Sequence, residues 1–578
     1  MFHFFNYTIR RFVPQLHNPL YLQNTQLENR VIFLINIVTI IAEIPIIDAH
    51  NIQLTLVLMQ MHLLSRQFVV YSIKLVYIRK IRSKHGMNAL IKVFNKILIK
   101  SEKTFYILLA FLTFFLVLNA TIFQSIFLGL FYSLLAFYLV FFSDSQKRIT
   151  FFSFFFFFSS IFKIPGISTS VYTILITMYV AFKTALLFLD NRRDFIKTLS
   201  EIKKILFFFA IMTIQLFLLY LIFRNNGADI RRTISFLIYL LFPIALYYFE
   251  KKNISFEKIL RVLAIGLIVS SVAALPCFFS EDYGTNLYQY AGLEKILYSF
   301  ISVNNYNFRI YRFSGLAFDP NYYSYFGLSV IGMLMAMYLT EKDKINIILA
   351  AILSVLVLLT LSKMLVVLLA ILLVVFLAML VKTRKSNLTN ILFISCMVIF
   401  IVLLTLGPSI ITIFISRFDE GQSFDFESTL NSLLTGRFDI WKEFVKMLFA
   451  NPFILFFGSG VGSSFNTIAF EGYGAHNSLL ETISTMGIVG LILLIYFFES
   501  IYDYCVIKEV GILTHDKKHF SVPVLVLTML LIPQASLFYL GIVSSYGFAF
   551  ILFVLFLNLK TLKSFYEQKS MKESITNG

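Results

Sequence analysis

The sequence predicts an all-α, polytopic transmembrane bundle, and three observations carry that prediction. Hydrophobic residues fill 58% of the 578 positions and charged residues only 14%. The apolar residues gather in runs of roughly 20, long enough to cross a hydrocarbon core of about 30 Å as helices and far too long for barrel strands. A backbone inside hydrocarbon must satisfy its own hydrogen bonds, which a helix does within one segment. The basic residues sit in short segments between these runs, so the net charge of +18 reads as membrane topology and not as a nucleic-acid surface.

Residues 1–104 form an N-terminal region. Two spans are weakly marked between 31 and 78, because Glu43, Pro45, Arg66 and Lys74 interrupt them. With Arg10 and Arg11 and no apolar run before residue 31, the start does not read as a cleavable signal peptide. The segment 79–103 carries eight Lys/Arg and one acid, which assigns it to the cytoplasm. Within it Lys92, Lys96, Lys100 and Lys103 recur at helical spacing opposite Leu90, Ile91, Phe94, Ile97 and Leu98, the pattern of an interfacial helix.

Residues 105–278 read as an N-terminal transmembrane bundle. Four spans fit between 105 and 189, and "FFSFFFFFSS" reads as lipid-facing bulk. A cytoplasmic segment with five Lys/Arg follows at 190–204, then spans near 204–223, 233–249 and 259–278. The turn "RNNGADIRR", 224–232, falls outside despite its three arginines.

Residues 279–560 form a second transmembrane region. Spans are expected near 322–340, 345–361, 364–381, 388–407, 479–499, 521–540 and 543–560, with a cytoplasmic tail at 561–578. The apolar stretch 345–381 would be about 55 Å long as one helix, too long for a single pass. Both of its flanks, "EKDK" and "KTRK", are basic, so the chain must reverse near Thr360, Ser362 and Lys363. The total is 14–16 spans with both termini inside and two long outer segments, 280–321 and 408–477.

Of the three cysteines, Cys277 and Cys396 fall within apolar runs and Cys505 follows one, so neither a disulfide framework nor a metal cluster is indicated. No metal and no cofactor are expected. Topology alone brings Arg312, Lys363, Arg437 and His476 to the outer face. Cations of this kind bind phosphate, Arg through a planar fork and Lys as a point charge, and solvated loop charge is the alternative.

His476 directly precedes a helix, with Asn477 and Ser478 both suited to cap it and Glu481 in its first turn. Beside a positive helix end an imidazole stays neutral and can accept a proton near pH 7, although Glu481 opposes this. Filling a loop-to-helix corner is the other role open to it. The glycines of "FFGSGVGSSF" suit tight turning or close backbone approach and not a dinucleotide fingerprint, which needs a βαβ unit. In "FDPNYYS", Asp319 reads as a cap and Pro320 as the first turn. The acidic patch Asp419, Glu420, Asp425 and Glu427 reads as solvated surface.

Together "RFSGLAFDPNYYS", "LTLSKM", "GRFDIW", "NPFILFFGSGVG" and "HNSLLETISTMGIVG" resemble the O-antigen ligase and O-antigen polymerase (Wzy-type) superfamily of membrane glycosyltransferases, over roughly residues 305–500. The resemblance implies a GT-C-like bundle in the bacterial cytoplasmic membrane. It implies a polyprenyl-pyrophosphate-linked oligosaccharide donor, a saccharide acceptor and metal-independent, inverting transfer at the outer face. It further implies that Arg437 and Lys363 bind the pyrophosphate; Arg312 adds to the same basic surface, with its neighbour Arg309 an equal candidate. His476 would assist the acceptor, with Asn477 and Ser362 in support. The superfamily usually has Arg after that Ser, and Lys363 keeps the charge without the bidentate geometry. A transporter of lipid-linked saccharide and a non-catalytic envelope-assembly component are the competing readings. The spans between 322 and 407 hold no charged residue, which favours chemistry at the outer face over passage through the centre.

Overall fold

The computed structural model describes residues 101–167, 170–190, 200, 202–250, 256–292, 298–303, 306–341, 343–360, 362–382, 437–466 and 477–502. All of them fall within one compact unit that begins at Asn95. The expected spans within 31–78 and at 388–407, 521–540 and 543–560 lie outside these residues, as do the basic segment up to residue 100, the acidic patch and the tail.

Helices follow one another along the chain: α1 (Glu102–Leu118), α2 (Ile126–Phe141), α3 (Ser145–Phe155), α4 (Val171–Asp190), α5 (Lys203–Phe223), α6 (Ile230–Glu250), α7 (Phe256–Ala274) and α8 (Glu281–Tyr290). A two-stranded antiparallel hairpin, β1 (Tyr298–Val303) and β2 (Tyr306–Tyr311), comes next. Beyond it lie α9 (Pro320–Glu341), α10 (Lys344–Leu358), α11 (Lys363–Lys382), α12 (Arg437–Ala450), α13 (Pro452–Phe457) and α14 (Ser478–Tyr502). The all-α expectation holds, with the hairpin as a small exception within residues 280–321. Five of the described helices are long and apolar enough to cross a membrane.

The starts of these helices have local causes. Ser101 accepts a hydrogen bond from Thr104 N, and Glu102 sits in the first turn of α1, where the helix dipole favours an acid. Asp144 and Asp343 cap α3 and α10 through Lys147 N and Ile345 N. The reversal expected in the 345–381 stretch occurs where α10 ends and α11 begins.

Ion pairs gather the ends assigned to the cytoplasm. Lys258 Nζ lies 3.2 Å from Glu102, joining the starts of α7 and α1. The Arg261 guanidinium reaches Glu257, Asp343 at 2.6 Å and the buried Asn346 amide oxygen at 2.8 Å, so α7 is tied to the α9–α10 turn.

The phenylalanine run departs from expectation. Phe151, Phe152, Phe154, Phe155, Phe156, Phe157 and Phe158 are all buried, so this segment is packed core and not lipid-facing bulk. Lipid tails are as apolar as side chains, so position follows from shape and not from polarity. Here the shape is set by ring contacts such as Phe151–Phe155 at 4.9 Å, and by Gly266 on α7. A Cβ at Gly266 would stand 2.5 Å from Phe154 O, so only glycine lets the two backbones meet. The bundle is tightest around α9, whose apolar window is 94% enclosed, against 22% for α5 at the lipid-facing margin.

Gly266→Ala is expected to destabilise the protein by about 1–3 kcal/mol through overpacking. The measurement is a lower unfolding midpoint of the detergent-purified protein.

Candidate active site

Two polar assemblies form at the helix ends opposite the ion pairs. The first is built on the start of α9. Asp319 Oδ1 accepts from Asn321 N at 2.7 Å and Tyr322 N at 3.1 Å, so it caps the helix as its position before Pro320 predicts. The α10–α11 turn docks onto this start through two side-chain bonds. Ser362 Oγ donates to Asn321 Oδ1 at 2.8 Å, and Ser324 Oγ donates to Thr360 Oγ1 at 2.7 Å. Ser362, Ser324 and Thr360 are buried, so each of these hydroxyls needs a protein partner.

Tyr288 and Ser314 hydroxyls meet at 2.8 Å, and Ser160 Oγ donates to Leu316 O at 2.8 Å. These bonds tie α8 and the loop at 159–167 to the segment that carries Arg312. Lys163, on that loop, donates to Ala291 O at 2.6 Å and so closes the end of α8. Burial pushes its ammonium pKa below the ordinary lysine value. Asn119 Nδ2 and the Tyr132 and Tyr290 hydroxyls extend the same cluster towards α1 and α2.

The second assembly surrounds a break in α14. Gly487 has φ 71° and ψ 178°, outside the helical region, and divides the helix into 478–486 and 488–502. Gly458, Gly460 and Gly462 of the preceding loop also have positive φ, the tight turning expected of them. A Cβ at Gly458 would overlap Thr485 O, and one at Gly487 would overlap Phe456 O.

This approach lets Ser459 N and Oγ both donate to Ser484 O at 2.9 Å, while Gly460 N donates to Thr485 O at 2.9 Å. Gln215 of α5 donates to Met486 O at 2.6 Å and to Phe457 O at 3.1 Å. Non-helical backbone at membrane depth survives only when its polar groups are enclosed and paired in this way. The same loop accepts Asp229 N on Val461 O at 2.9 Å. The "RNNGADIRR" turn therefore packs on the glycine-rich loop.

The predicted site residues divide accordingly. Ser362 belongs to the first assembly, and Arg312 is half-buried just before Phe313, whose ring meets that of Tyr323 on α9 at 5.0 Å. Lys363 is the first residue of α11 and Arg437 the first of α12. Asn477 caps α14, its Oδ1 accepting from Leu479 N at 3.0 Å and Leu480 N at 3.1 Å, which leaves Ser478 inside the helix. Glu481 is in the first turn. His476 lies outside the described residues.

Sequence reasoning missed Lys163 and Gln215. The signal was the same for both: a strongly polar side chain, ammonium or amide, within a largely apolar stretch.

Long apolar helices tied by buried polar bonds and ion pairs at their ends define a multi-pass membrane protein. A family model described as O-antigen ligase matches residues 348–495, from α10 into α14. This stretch is thus similar to the O-antigen ligase/polymerase superfamily, a likeness that supports a glycosyltransferase-type function in surface polysaccharide synthesis. The match takes in Ser362, Lys363, Arg437, His476 and Asn477, and leaves Arg312 and Asp319 before it. No curated protein matches this chain.

Ser362→Ala is expected to cost about 1 kcal/mol, the ordinary net worth of one hydrogen bond, because Asn321 Oδ1 loses this donor. Asn477→Ala should cost a similar amount, about 1 kcal/mol for a lost N-cap, with faster amide exchange at Leu479 and Leu480. Thermal unfolding and hydrogen exchange measure the two effects.

Proposed function

We propose that the protein transfers an oligosaccharide from a polyprenyl-pyrophosphate donor to a sugar hydroxyl at the outer face of the cytoplasmic membrane, extending or ligating a surface polysaccharide. The observation that carries this reading is the Ser362–Asn321 bond, which seats the start of α11 beside the start of α9. Two motifs 41 residues apart in sequence thus contribute to one surface, next to the segment carrying Arg312. The likeness to O-antigen ligase supports the reaction class.

The acceptor oxygen attacks the anomeric carbon from the face opposite the pyrophosphate. The bond to the leaving oxygen breaks, the configuration inverts, and polyprenyl pyrophosphate departs. Pyrophosphate is already a competent leaving group, so the protein has three tasks: neutralise its growing charge, hold the acceptor and take one proton. Arg437, Lys363 and Arg312 are assigned the charge, and His476 the proton. Asn477 and Ser362 fix the helix starts that carry their neighbours.

A broken transmembrane helix also occurs in transporters, where unwound carbonyls coordinate a passing ion. In α14 the carbonyls of Ser484, Thr485 and Met486 are each taken up by a protein donor. This favours a structural break over an ion path.

His476→Ala is expected to lower turnover by about 10² to 10⁴, the range of a general base, with insertion and folding retained. Lys363→Arg should keep activity, while Lys363→Ala should raise the apparent donor KM. The assay is purified protein with a defined polyprenyl-linked oligosaccharide, read by product mass. A ladder of repeat units marks a polymerase, and a single addition to a separate acceptor marks a ligase. Movement of labelled donor between leaflets without a new glycosidic bond would establish transport instead.

A further inference from the structure

We propose that Gln215 is a positioning residue for this transfer, holding from the N-terminal bundle the half-helix that follows the assigned base in sequence; the inference rests on the function proposed above. The break at Gly487 ends the hydrogen-bond ladder of α14, so residues 488–502 do not set the direction of residues 478–486. That direction depends on whatever grips the carbonyls at the end of the first half. Ser459 and Gly460 grip two of them from within the same matched stretch. The third, Met486 O, is held by Gln215, a residue of α5 that lies well before that stretch in sequence.

Gln215 is suited to this task. It sits in an apolar helix of 21 residues, where an amide is retained only with a reason. Its neighbour Thr213 turns its hydroxyl back onto Phe209 O at 2.8 Å, and so serves its own helix. The Gln215 amide leaves the helix instead, with one nitrogen donating to two carbonyls, Met486 O and Phe457 O. A single side chain therefore clamps the end of α13 to the break in α14. Two carbonyls around one nitrogen also fix which way the amide faces. Its Oε1 is buried without a hydrogen-bond partner among the described residues, so the grip is kept although it leaves an acceptor unused.

The lever arm makes the clamp matter. The nine residues 478–486 span about 13 Å, so a tilt of about 10° at Gly487 moves their start by about 2 Å. Asn477 caps that start, and His476 is the residue before it in sequence. A displacement of about 1 Å at a reacting group can cost about 10²-fold in rate.

The test compares Gln215→Met, similar in length but without a donor, with Gln215→Glu and His476→Ala in the purified full-length protein. Gln215→Met is expected to lower kcat about tenfold or more while donor KM stays within about threefold. Amide exchange at residues 478–486 should rise. Gln215→Glu should retain turnover while its carboxyl is protonated and can donate. It should lose turnover as pH rises through that carboxyl's pKa, opposite to the rise expected of a histidine base.

A folded Gln215→Met protein with kcat within about twofold of wild type overturns the proposal, as does unchanged exchange at 478–486. If Gln215→Met does not fold, the pH profile of Gln215→Glu decides, and a profile parallel to wild type overturns it. Should His476→Ala keep full turnover, the base assignment fails by itself, and the exchange measurement still judges the clamp.

Discussion

The rule that governs this protein is that no backbone amide or carbonyl inside a bilayer can be left without a partner. Most of the chain obeys by remaining helical. Where the helix stops, the structure supplies substitutes. The glycine-rich loop donates two amides and a hydroxyl to the broken end of α14, and Gln215 donates a fourth group. The α10–α11 turn is sealed by Ser324, Thr360 and Ser362 against the start of α9. Each departure from regular structure is thus a point where distant parts of the chain are joined, and both polar assemblies are built from such departures.

The helix starts were legible in the sequence because capping is local chemistry. Asp319 before Pro320, and Asn477 before an apolar run, have side chains that can reach only the nearby amides, and they do so. The reversal near Ser362 was legible for a different reason, since charge at both flanks and excess length leave no other path. The phenylalanine run was not legible. A helix apolar all round suits lipid and protein equally, and only the approach permitted by Gly266 decides between them. The break in α14 was hidden as well, because a glycine at positive φ leaves the hydropathy of a span unchanged.

The assigned cations have an instructive placement. Lys363 and Arg437 open helices of 20 and 14 residues, the positive ends of the helix dipoles. A cation there is disfavoured, whereas an anion is welcomed by the dipole and the exposed amides together. Under the proposed function, a diphosphate at such a start would meet the dipole and the assigned cation together. This gives the proposed donor a stronger claim on the surface than loose loop charge would have, and it suits a reaction whose chief demand is to stabilise a departing anion.

The lipid-facing margin of the bundle adds one more consequence. With its terminal turn α5 forms a span of 24 residues, about 36 Å long, and only 22% of its apolar window is enclosed by protein. Its apolar residues 205–223 are about 29 Å long, which matches a hydrocarbon core of about 30 Å. Because α5 grips the broken end of α14 through Gln215, a helix whose apolar length fits the bilayer anchors the half-helix beyond the break.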